Sequence, residues 1–368
     1  MVEVPKIVLT GGPRAGKTTA LCFLQEKLSD FGFYPLLIPE TPTMLIKSGV
    51  TPVGEFFSVR DFQRLVFKQV MFLEDLYMQA ARKINHPKPM VICDRGLMDG
   101  EAYAGPDLFK EIVQSFGLDI PKVRDERYNG VVHLRSSAFM GNEFYLQRDN
   151  PARMEDAEEA KIRDEKTLEA WIGHPHLRVV DSSLDFKSKM RKLLAVVCRL
   201  IGFPVPLEIE RKFLVERLTP AFYDIPKQFI EIEQVYIHDP VYPLAKEVRI
   251  RKRMQGASSV YYQTLKEYVG LGVRAEKEFW ITSEEYEKKK NELQEAGTMI
   301  IRKNRCCFVY ANQYFELDSF IHPISNLMVL EIELTEEGEG INIPSCIEIK
   351  RDVTTDPNFS NRNLAQIH

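Results

Sequence analysis

A glycine-rich turn near the start of the chain restricts the fold more than any other feature of the sequence. The turn has the spacing Gly11-x4-Gly16-Lys17-Thr18, and it joins a short apolar run to a helix-like segment. A turn in this position presents backbone N–H groups and the positive end of a helix dipole, which together bind phosphate oxygens. We therefore expect a phosphate-binding loop in which Lys17 reaches the outer phosphates and Thr18 binds Mg²⁺. The residues of this candidate loop are Gly11, Gly12, Pro13, Arg14, Ala15, Gly16, Lys17, Thr18 and Thr19.

The rest of the first half alternates strand-like and helix-like segments. Short apolar runs recur at YPLLI, PMVIC, GVVHL and LRVV, and helical segments separate them. This alternation is typical of a doubly wound α/β domain with a mainly parallel, five-stranded sheet. A chain of 368 residues is about twice the usual domain size, and the proline and glycine residues near position 203 mark a change of rhythm. We expect two domains, residues 1–203 and 204–368.

Five polar residues follow the predicted strands at the edge where ligands bind in such folds. They are Glu40, Asp94, Arg95, Asp181 and Ser182. Asp94 follows an apolar strand, as does the acid that holds the Mg²⁺ shell in phosphate-loop proteins. A strand-end turn is an alternative explanation for both Asp94 and Glu40. Asp181 and Ser182 would also suit the N-cap of the next helix.

A polar loop from Arg135 to Met154 carries further arginines, including Arg148 and Arg153. Such a loop could close over phosphates and place a guanidinium group on the charge that develops there. A solvated surface loop explains the same composition equally well. Both interpretations stay open from the sequence.

Four stretches of this half resemble the phosphate-loop domains related to the nicotinamide-riboside kinase part of bacterial NAD regulators. They are GGPRAGKTT, IPE, ICDRG and DSSLDFKSKM. The resemblance implies that Glu40 is a catalytic base, that Asp94 assists Mg²⁺ and that Arg95 contacts phosphate.

The second half changes to a period of two residues. In EIERKF, KEVRIRKRM, VYYQTLKEY, RAEKEF, YFELDSF and VLEIEL, charged side chains repeatedly share one strand face. Such strands form either a sheet with one solvated face or an antiparallel β-barrel with charged groups inside. We favour the barrel, because its interior would hold carboxylates for Mg²⁺ or Mn²⁺ and cations for phosphate oxygens.

This half resembles the CYTH family of triphosphate-tunnel proteins over residues 205–368. The resemblance rests on EIERKF, VRIR, TLK, RAEKEF, RKNR, FELD, LEIEL and DVTTDPNFSNRNLA. It implies an α+β antiparallel β-barrel that encloses a triphosphate tunnel. It implies that the metal site consists of Glu208, Glu210, Glu316, Asp318, Glu331 and Glu333. It implies that the phosphate chain is bound by Lys212, Arg249, Arg251, Lys266, Arg302 and Arg305, and Arg253 shares the strand face of the first two arginines.

A phosphate-loop domain followed by a CYTH domain resembles the TRPL translocation defect protein family of eukaryotes, over essentially the whole chain. The resemblance implies a protein that binds GTP and phosphoinositides and acts in vesicle or membrane-protein trafficking. The chain has no Asn-Lys-x-Asp motif that reads guanine, so GTP rather than ATP comes from the resemblance alone.

Two other interpretations stay open. One is a bifunctional enzyme that joins a nucleoside-type small-molecule kinase to a metal-dependent triphosphatase. The other is a signalling NTPase whose tunnel senses inorganic polyphosphate.

Composition limits the partners and the location. The net charge of -4 argues against bulk electrostatic binding to nucleic acid. No run reaches the roughly 18 apolar residues that span a bilayer, and the N-terminal apolar run is too short for a signal peptide. We expect a cytoplasmic protein whose membrane contact, if it has any, is peripheral.

Overall fold

The structure is a computed structural model that describes residues 4–52, 57–140, 157–182, 185–204, 209–243, 245–270, 273–335 and 338–366. Contacts divide the chain into two units, Met1–Ile201 and Gly202–His368. Each unit contains one sheet. The described helices include none that is both long and apolar enough to cross a membrane.

The first unit is built on a parallel sheet. Its strands are β1 (Lys6–Thr10), β2 (Tyr34–Ile38), β3 (Pro89–Asp94), β4 (Gly130–Leu134) and β5 (Leu177–Val180). They lie in the order β2-β3-β1-β4-β5, and every neighbouring pair is parallel. Every residue of β1 and β4 is buried, which explains why these strands read as continuous apolar runs rather than as alternating ones. The predicted five-stranded α/β sheet is confirmed.

Helices connect these strands. They are α1 (Lys17–Asp30), α2 (Thr41–Lys47), α3 (Val59–Lys83), α4 (Glu101–Ala104), α5 (Pro106–Ser115), α6 (Ile120–Asp125), α7 (Ala157–Trp171) and α8 (Phe186–Leu200). Side-chain caps fix where several of them begin. The Ser58 hydroxyl accepts a hydrogen bond from the Asp61 N–H at the start of α3, and the Asp185 carboxylate accepts from Lys187 and Ser188 at the start of α8.

The strand order decides which loops meet. Because all five strands run in one direction, their carboxyl ends lie at the same edge of the sheet. Strand β1 is central, with β3 on one side and β4 on the other. The loop that follows Thr10 is therefore flanked by the residues that follow Cys93 and Leu134.

The second unit contains a nine-stranded antiparallel sheet. Its strands are β6 (Ile209–Leu218), β7 (Lys227–Tyr236), β8 (Glu247–Gln255), β9 (Ser258–Gly270), β10 (Val273–Trp280), β11 (Ile301–Tyr310), β12 (Gln313–His322), β13 (Met328–Leu334) and β14 (Ile347–Asp352). The order is β10-β9-β8-β7-β11-β12-β13-β6-β14, so β10 and β14 are the two edge strands. Two helices accompany it, α9 (Ser283–Leu293) and α10 (Asn361–Leu364). This sheet confirms the predicted α+β antiparallel fold of the second half.

The two faces of this sheet differ in polarity. One face carries apolar clusters, and Tyr286 of α9 packs into the cluster around Val235, Ile250 and Leu265. Residues that face each other across an antiparallel ladder point to the same side. By this rule the register places nearly all the predicted charged residues on the other face, which we call the charged face.

The sheet curls around its charged face. Glu210 of β6 interacts electrostatically with Lys266 of β9, although five strands separate β6 from β9 in the sheet order. Strong curvature of this kind encloses the charged side chains, as the predicted tunnel requires.

Candidate functional site

Backbone geometry shapes the phosphate loop between β1 and α1. Gly11, Arg14 and Gly16 have φ angles of 142°, 58° and 85°, a run of positive values that curls the chain. A Cβ atom at Gly11 would lie 2.2 Å from the Leu134 carbonyl oxygen, and one at Gly12 would lie 2.7 Å from the Asp164 side chain. Glycine is therefore required at both positions by close approach. A curled glycine-rich backbone that leads into a helix N-terminus is the local structure in which anion sites form.

Lys17 is held at the mouth of the loop. Its ammonium group donates hydrogen bonds to the carbonyl oxygens of Gly11 (2.8 Å) and Gly12 (3.0 Å). Burial and the positive charge of Arg95 lower the pKa of Lys17 to about 8. Thr18 and Thr19 follow Lys17 in the first turn of α1, and both are exposed.

Asp94 ends β3 beside the loop. Burial raises the pKa of Asp94 to about 6, against the opposing effect of Lys17. Its Oδ1 atom is buried and finds no hydrogen-bond partner among the described residues. A buried carboxylate oxygen without a donor suits a divalent cation, and oxygen ligands are those that Mg²⁺ prefers. Asp94 and the Thr18 hydroxyl therefore fit the predicted Mg²⁺ site.

Arg95 is fixed by two carboxylates. Its Nε donates to Glu40 Oε1 (2.6 Å) and its Nη1 donates to Asp99 Oδ1 (3.1 Å). Burial would raise the pKa of Glu40, but Arg95 and the Thr43 hydroxyl lower it to about 2. A carboxylate with so low a pKa is a poor proton acceptor at neutral pH. Glu40 as the base stays a prediction.

Sequence reasoning missed Asp99. This buried carboxylate accepts hydrogen bonds from the Thr10 hydroxyl (2.5 Å), the Gly96 N–H (2.9 Å) and the Trp171 indole (3.2 Å), in addition to the one from Arg95. It lies in a short turn after β3, and no motif distinguishes it from an ordinary turn acid. It orients Arg95 toward the loop.

Sequence reasoning also missed Asp164 and Lys189, which form hydrogen bonds with the backbone of the loop. Asp164 of α7 accepts from the Gly12 N–H (2.7 Å), and Arg135 donates to the same carboxylate (2.9 Å). Lys189 of α8 donates to the carbonyl oxygens of Ala15 (3.1 Å) and Arg135 (2.8 Å). Both side chains are buried. A charged residue on the buried face of an amphipathic helix was the signal that could have revealed them.

The remaining predictions for this half have mixed outcomes. Asp181 and Ser182 directly follow β5, at the same edge as the loop. They do not cap α8, because Asp185 accepts the hydrogen bonds at that N-terminus. Arg148 and Arg153 lie outside the described residues, so their predicted role stays a prediction.

In the second unit, Lys212 joins two carboxylates of the charged face. Its Nζ lies 2.9 Å from Glu331 Oε1 and 3.1 Å from Glu210 Oε2. Burial raises the pKa of Glu210, with Lys212 opposing it. Burial acts in the same direction on Glu331, but Lys212, Lys303 and Arg305 hold the pKa of Glu331 below its ordinary value. The charge of Glu210 is thus the less fully compensated of the two.

Arg305 connects the acidic strands. It donates from Nε to Asp318 Oδ1 (2.7 Å) and from Nη2 to Glu331 Oε2 (2.9 Å), and it also pairs with Glu316. Arg305 is 5% exposed and Asp318 is fully buried. Buried ions are tolerated only when they are paired in this way. The structure therefore brings together Arg305 and three of the predicted metal ligands.

The prediction for Arg302 requires correction. Its side chain lies on the opposite face of β11 from Arg305, is 58% exposed and pairs with Glu233. Two residues three apart on a strand point to opposite sides, so Arg302 and Arg305 cannot share the charged face. Lys303 takes the place instead, buried and paired with Asp318.

Basic residues line the strands on the other side of the charged face. Arg249, Arg251 and Arg253 alternate along β8, and Lys266 follows on β9. Edge strand β10 supplies their partners: Glu276 contacts Arg249 (2.7 Å) and Lys266 (3.0 Å), and Glu278 contacts Arg251. Arg253 is 2% exposed, deeper than the other two arginines of β8.

The predicted metal ligands of the second unit are only partly assembled. Within the described residues, no three histidine, cysteine, aspartate or glutamate side chains form a group that could hold a metal ion. Glu333 lies opposite Glu210 in the register and is exposed, and Glu208 lies outside the described residues. The carboxylate oxygens suit Mg²⁺ or Mn²⁺, and the metal site stays a prediction.

Comparisons with known proteins found the following similarities. A crystal structure of an inorganic triphosphatase covers 44% of this chain and 95% of its own, with 27% identity and a TM-score of 0.31. The structure of a protein from Pyrococcus horikoshii covers 35% of this chain and 80% of its own, with 18% identity and a TM-score of 0.27. An inorganic triphosphatase of Nitrosomonas europaea is 31% identical over 159 residues, which are 43% of this chain and 96% of that protein.

A family model described as an AAA domain matches residues 6–189, which include the phosphate loop, Asp94 and Asp164. This chain therefore belongs to the AAA-domain family, matched over residues 6–189, and to the family of the Nitrosomonas inorganic triphosphatase, matched over 43% of its length.

Proposed function

We propose that this chain joins a Mg²⁺-dependent nucleoside triphosphate-binding unit to a second unit that binds and hydrolyses a triphosphate chain. The observation that supports the role of the second unit is its charged face, where cations and carboxylates are buried together around Arg305 and Lys212. In a sheet with one solvated face these charged groups would remain exposed to water. A phosphate chain with its metal ions, in contrast, needs cations for its oxygens and carboxylates for the metal. The likeness to an inorganic triphosphatase supports the same proposal.

In this proposal, residues on one side of the charged face bind phosphate and residues on the other side bind metal. Arg249, Arg251 and Lys266 bind phosphate oxygens, because guanidinium and ammonium groups form charge-assisted hydrogen bonds with them. Glu210 and Glu331 would hold a divalent metal ion, Mg²⁺ or Mn²⁺, which neutralises phosphate charge and lowers the pKa of bound water. Lys212 lies between these carboxylates and offsets the repulsion between their negative charges.

In the first unit, Lys17 and the loop N–H groups bind the β- and γ-phosphates of GTP or ATP. Asp94 and Thr18 would hold Mg²⁺, and Arg95 offers its guanidinium to the phosphate charge.

Hydrolysis of tripolyphosphate by the full chain tests the proposal. The chain should carry Lys17→Ala, so that the phosphate loop contributes no turnover. We expect phosphate release that depends on Mg²⁺ or Mn²⁺, and a loss of at least about a hundredfold in rate when Glu210→Gln is added. Glu348→Gln is the matched control, because Glu348 pairs with Arg217 at an exposed site on β14.

Equal rates for the Glu210→Gln and Glu348→Gln proteins would refute the assignment of Glu210. Absence of any metal-dependent hydrolysis or binding of tripolyphosphate would refute the proposed function of the second unit.

A second candidate is phosphoinositide binding by the same face in a GTP-binding trafficking protein, as the resemblance to the TRPL translocation defect family implies. The neighbouring guanidinium groups of Arg249 and Arg251 favour it, because clustered headgroup phosphates offer the oxygens that arginine binds. Flotation of the full chain with vesicles of neutral lipid, with and without phosphoinositide, separates the candidates. Binding that needs phosphoinositide and is lost in Arg249→Gln/Arg251→Gln would support this role.

A further inference from the structure

The basic side of the charged face is already engaged by carboxylates of one edge strand. Glu276 Oε1 accepts a hydrogen bond from Arg249 Nη2 (2.7 Å), and Glu276 Oε2 lies 3.0 Å from Lys266 Nζ. Glu278 accepts from Arg251, and its Oε2 also accepts from the Thr264 hydroxyl (2.9 Å). Three cations that we assign to phosphate binding are thus paired with two side chains of β10.

These pairings use the Nη2 atoms of Arg249 and Arg251 and do not involve their Nε atoms. The Nε atoms of Arg249 and Arg251 are buried and find no hydrogen-bond acceptor among the described residues. A buried donor without an acceptor carries a desolvation cost, and the cost is relieved when a ligand supplies an oxygen. The two arginines therefore keep one donor each for an anion while a carboxylate holds the other end of the group.

From this geometry we infer that Glu276 and Glu278 are specificity-determining residues, which compete with phosphate oxygens for Arg249, Arg251 and Lys266. The inference rests on the proposed function of the second unit. The ligand class it selects is a chain of linked phosphates accompanied by divalent metal, in preference to a single phosphate or a metal-free chain.

The selection follows from tethering. A carboxylate fixed on the neighbouring strand competes at an effective concentration of about millimolar or higher, because its binding is intramolecular. One dilute phosphate group cannot displace two such carboxylates, whereas linked phosphates gain several contacts in one binding event. Metal ions reduce the repulsion between the incoming phosphates and the carboxylates that remain nearby.

The position of β10 permits displacement. Among the described strands it is an edge strand that pairs with β9 alone, so its movement breaks one ladder of hydrogen bonds rather than two. If the two glutamates had a purely supporting role, their substitution would change the affinity for phosphate in the opposite direction. If Glu276 and Glu278 only orient the arginines, their removal must weaken phosphate binding.

The test measures binding by calorimetry in the full chain carrying Lys17→Ala, with tripolyphosphate and with orthophosphate as probes. Each probe is titrated with Mg²⁺ and, separately, with EDTA. The variant is Glu276→Gln/Glu278→Gln, which keeps side-chain shape, and Glu348→Gln is the control ion pair on β14. Circular dichroism and thermal unfolding establish that the variants are folded. Each single substitution is measured as well, so that the test survives misfolding of the double variant.

We expect the variants to bind tripolyphosphate in EDTA at least about tenfold more tightly than the parent, as release of a competing charge-assisted hydrogen bond implies. We also expect orthophosphate binding to become measurable, and the control to match the parent. Unchanged or weaker binding in folded variants overturns the inference. If the parent fails to bind tripolyphosphate even with Mg²⁺, the proposed function fails, and tighter binding by the variants would still support competition by the two glutamates.

Discussion

At the mouth of the phosphate loop, two ionisable side chains have pKa values displaced toward neutrality from opposite directions. Burial raises the pKa of Asp94 to about 6, and burial together with Arg95 lowers the pKa of Lys17 to about 8. The carboxylate and the ammonium group are therefore charged at the same time only between pH values of about 6 and about 8. A site that binds Mg²⁺ through the carboxylate and phosphate through the ammonium should work best in that interval.

Nucleotide binding should accordingly depend on pH through Asp94. Its pKa is raised, so the carboxylate gains a proton as the pH falls through about 6 and can then no longer bind Mg²⁺. We expect the Mg²⁺-dependent part of the affinity to fall by about tenfold per pH unit below that point. Titration of a fluorescent triphosphate analogue over this range, with Mg²⁺ and with EDTA, measures the effect.

Asp94→Asn is the control for titration of the nucleotide itself. It should abolish the Mg²⁺-dependent difference at every pH. The pKa of Asp94 is raised from 3.8 to about 6, so its ionisation lowers the stability of the folded state progressively between these pH values and fully above the upper one. Asp94→Asn should therefore not destabilise the protein at neutral pH. Retention of the full pH dependence in this variant would remove Asp94 from the metal site.

Single residues differ in how well the sequence predicts them. Lys17 and Asp94 are found because the loop spacing and the strand end fix them locally. Asp99 and Asp164 are not found, because their importance comes from partners 89 and 152 residues away in the chain, Thr10 and Gly12. No local pattern encodes a contact of that range.

At the scale of elements, helix α7 forms the support of the phosphate loop. Asp164 accepts hydrogen bonds from the Gly12 N–H (2.7 Å), from the Ser136 N–H (3.2 Å) and from Arg135 (2.9 Å). Burial would raise the pKa of Asp164, but His133, Arg135 and these hydrogen bonds hold it below its ordinary value. Its stabilising effect is therefore present above the unfolded pKa near 3.8 and is lost as the pH falls through the lower folded value.

Asp164→Asn should loosen the loop and weaken nucleotide binding. The amide places an N–H₂ group against the donors that the carboxylate satisfied, which costs about 2–4 kcal/mol. Hydrogen exchange of the peptides that contain residues 11–16 should accelerate, and triphosphate affinity should fall. Glu165→Gln is a matched control, because Glu165 also pairs with Arg135 but is 44% exposed and should matter little. Equal effects of the two substitutions would contradict the role of Asp164.

Strands show where a sequence pattern reaches its limit. The period of two predicts that Arg249 and Arg251 share one face, and the register agrees with it. The resemblance implied Arg302 together with Arg305, but the motif RKNR offers basic residues on both faces of the strand, and the register shifts between Arg302 and Lys303. A displacement of one residue exchanges the two faces of a strand, so the choice depends on pairing with β12 and not on the local sequence.

For the whole molecule, the phosphate sites that we propose for the two units rest on different physical grounds. In the first, backbone N–H groups and one lysine of a glycine-rich loop provide the attraction. In the second, guanidinium and carboxylate side chains of a curled sheet provide it. The switch of periodicity near residue 203 predicts two domains. The partner of each charged residue could not be predicted, because the sheet register determines which residues meet.

Ligands should therefore protect the two units separately in one chain. A non-hydrolysable nucleoside triphosphate with Mg²⁺ should slow hydrogen exchange in residues 11–30, and tripolyphosphate with Mg²⁺ should slow it in β8 and β9, because each ligand stabilises only the fold that binds it. Lys17→Ala should remove the first protection and leave the second, while Arg249→Gln/Arg251→Gln should do the reverse. Lys110→Ala, at an exposed position of α5, serves as the control and should change neither. Loss of both protections in either variant would show that the sites do not act as the separate phosphate-binding units that their geometry indicates.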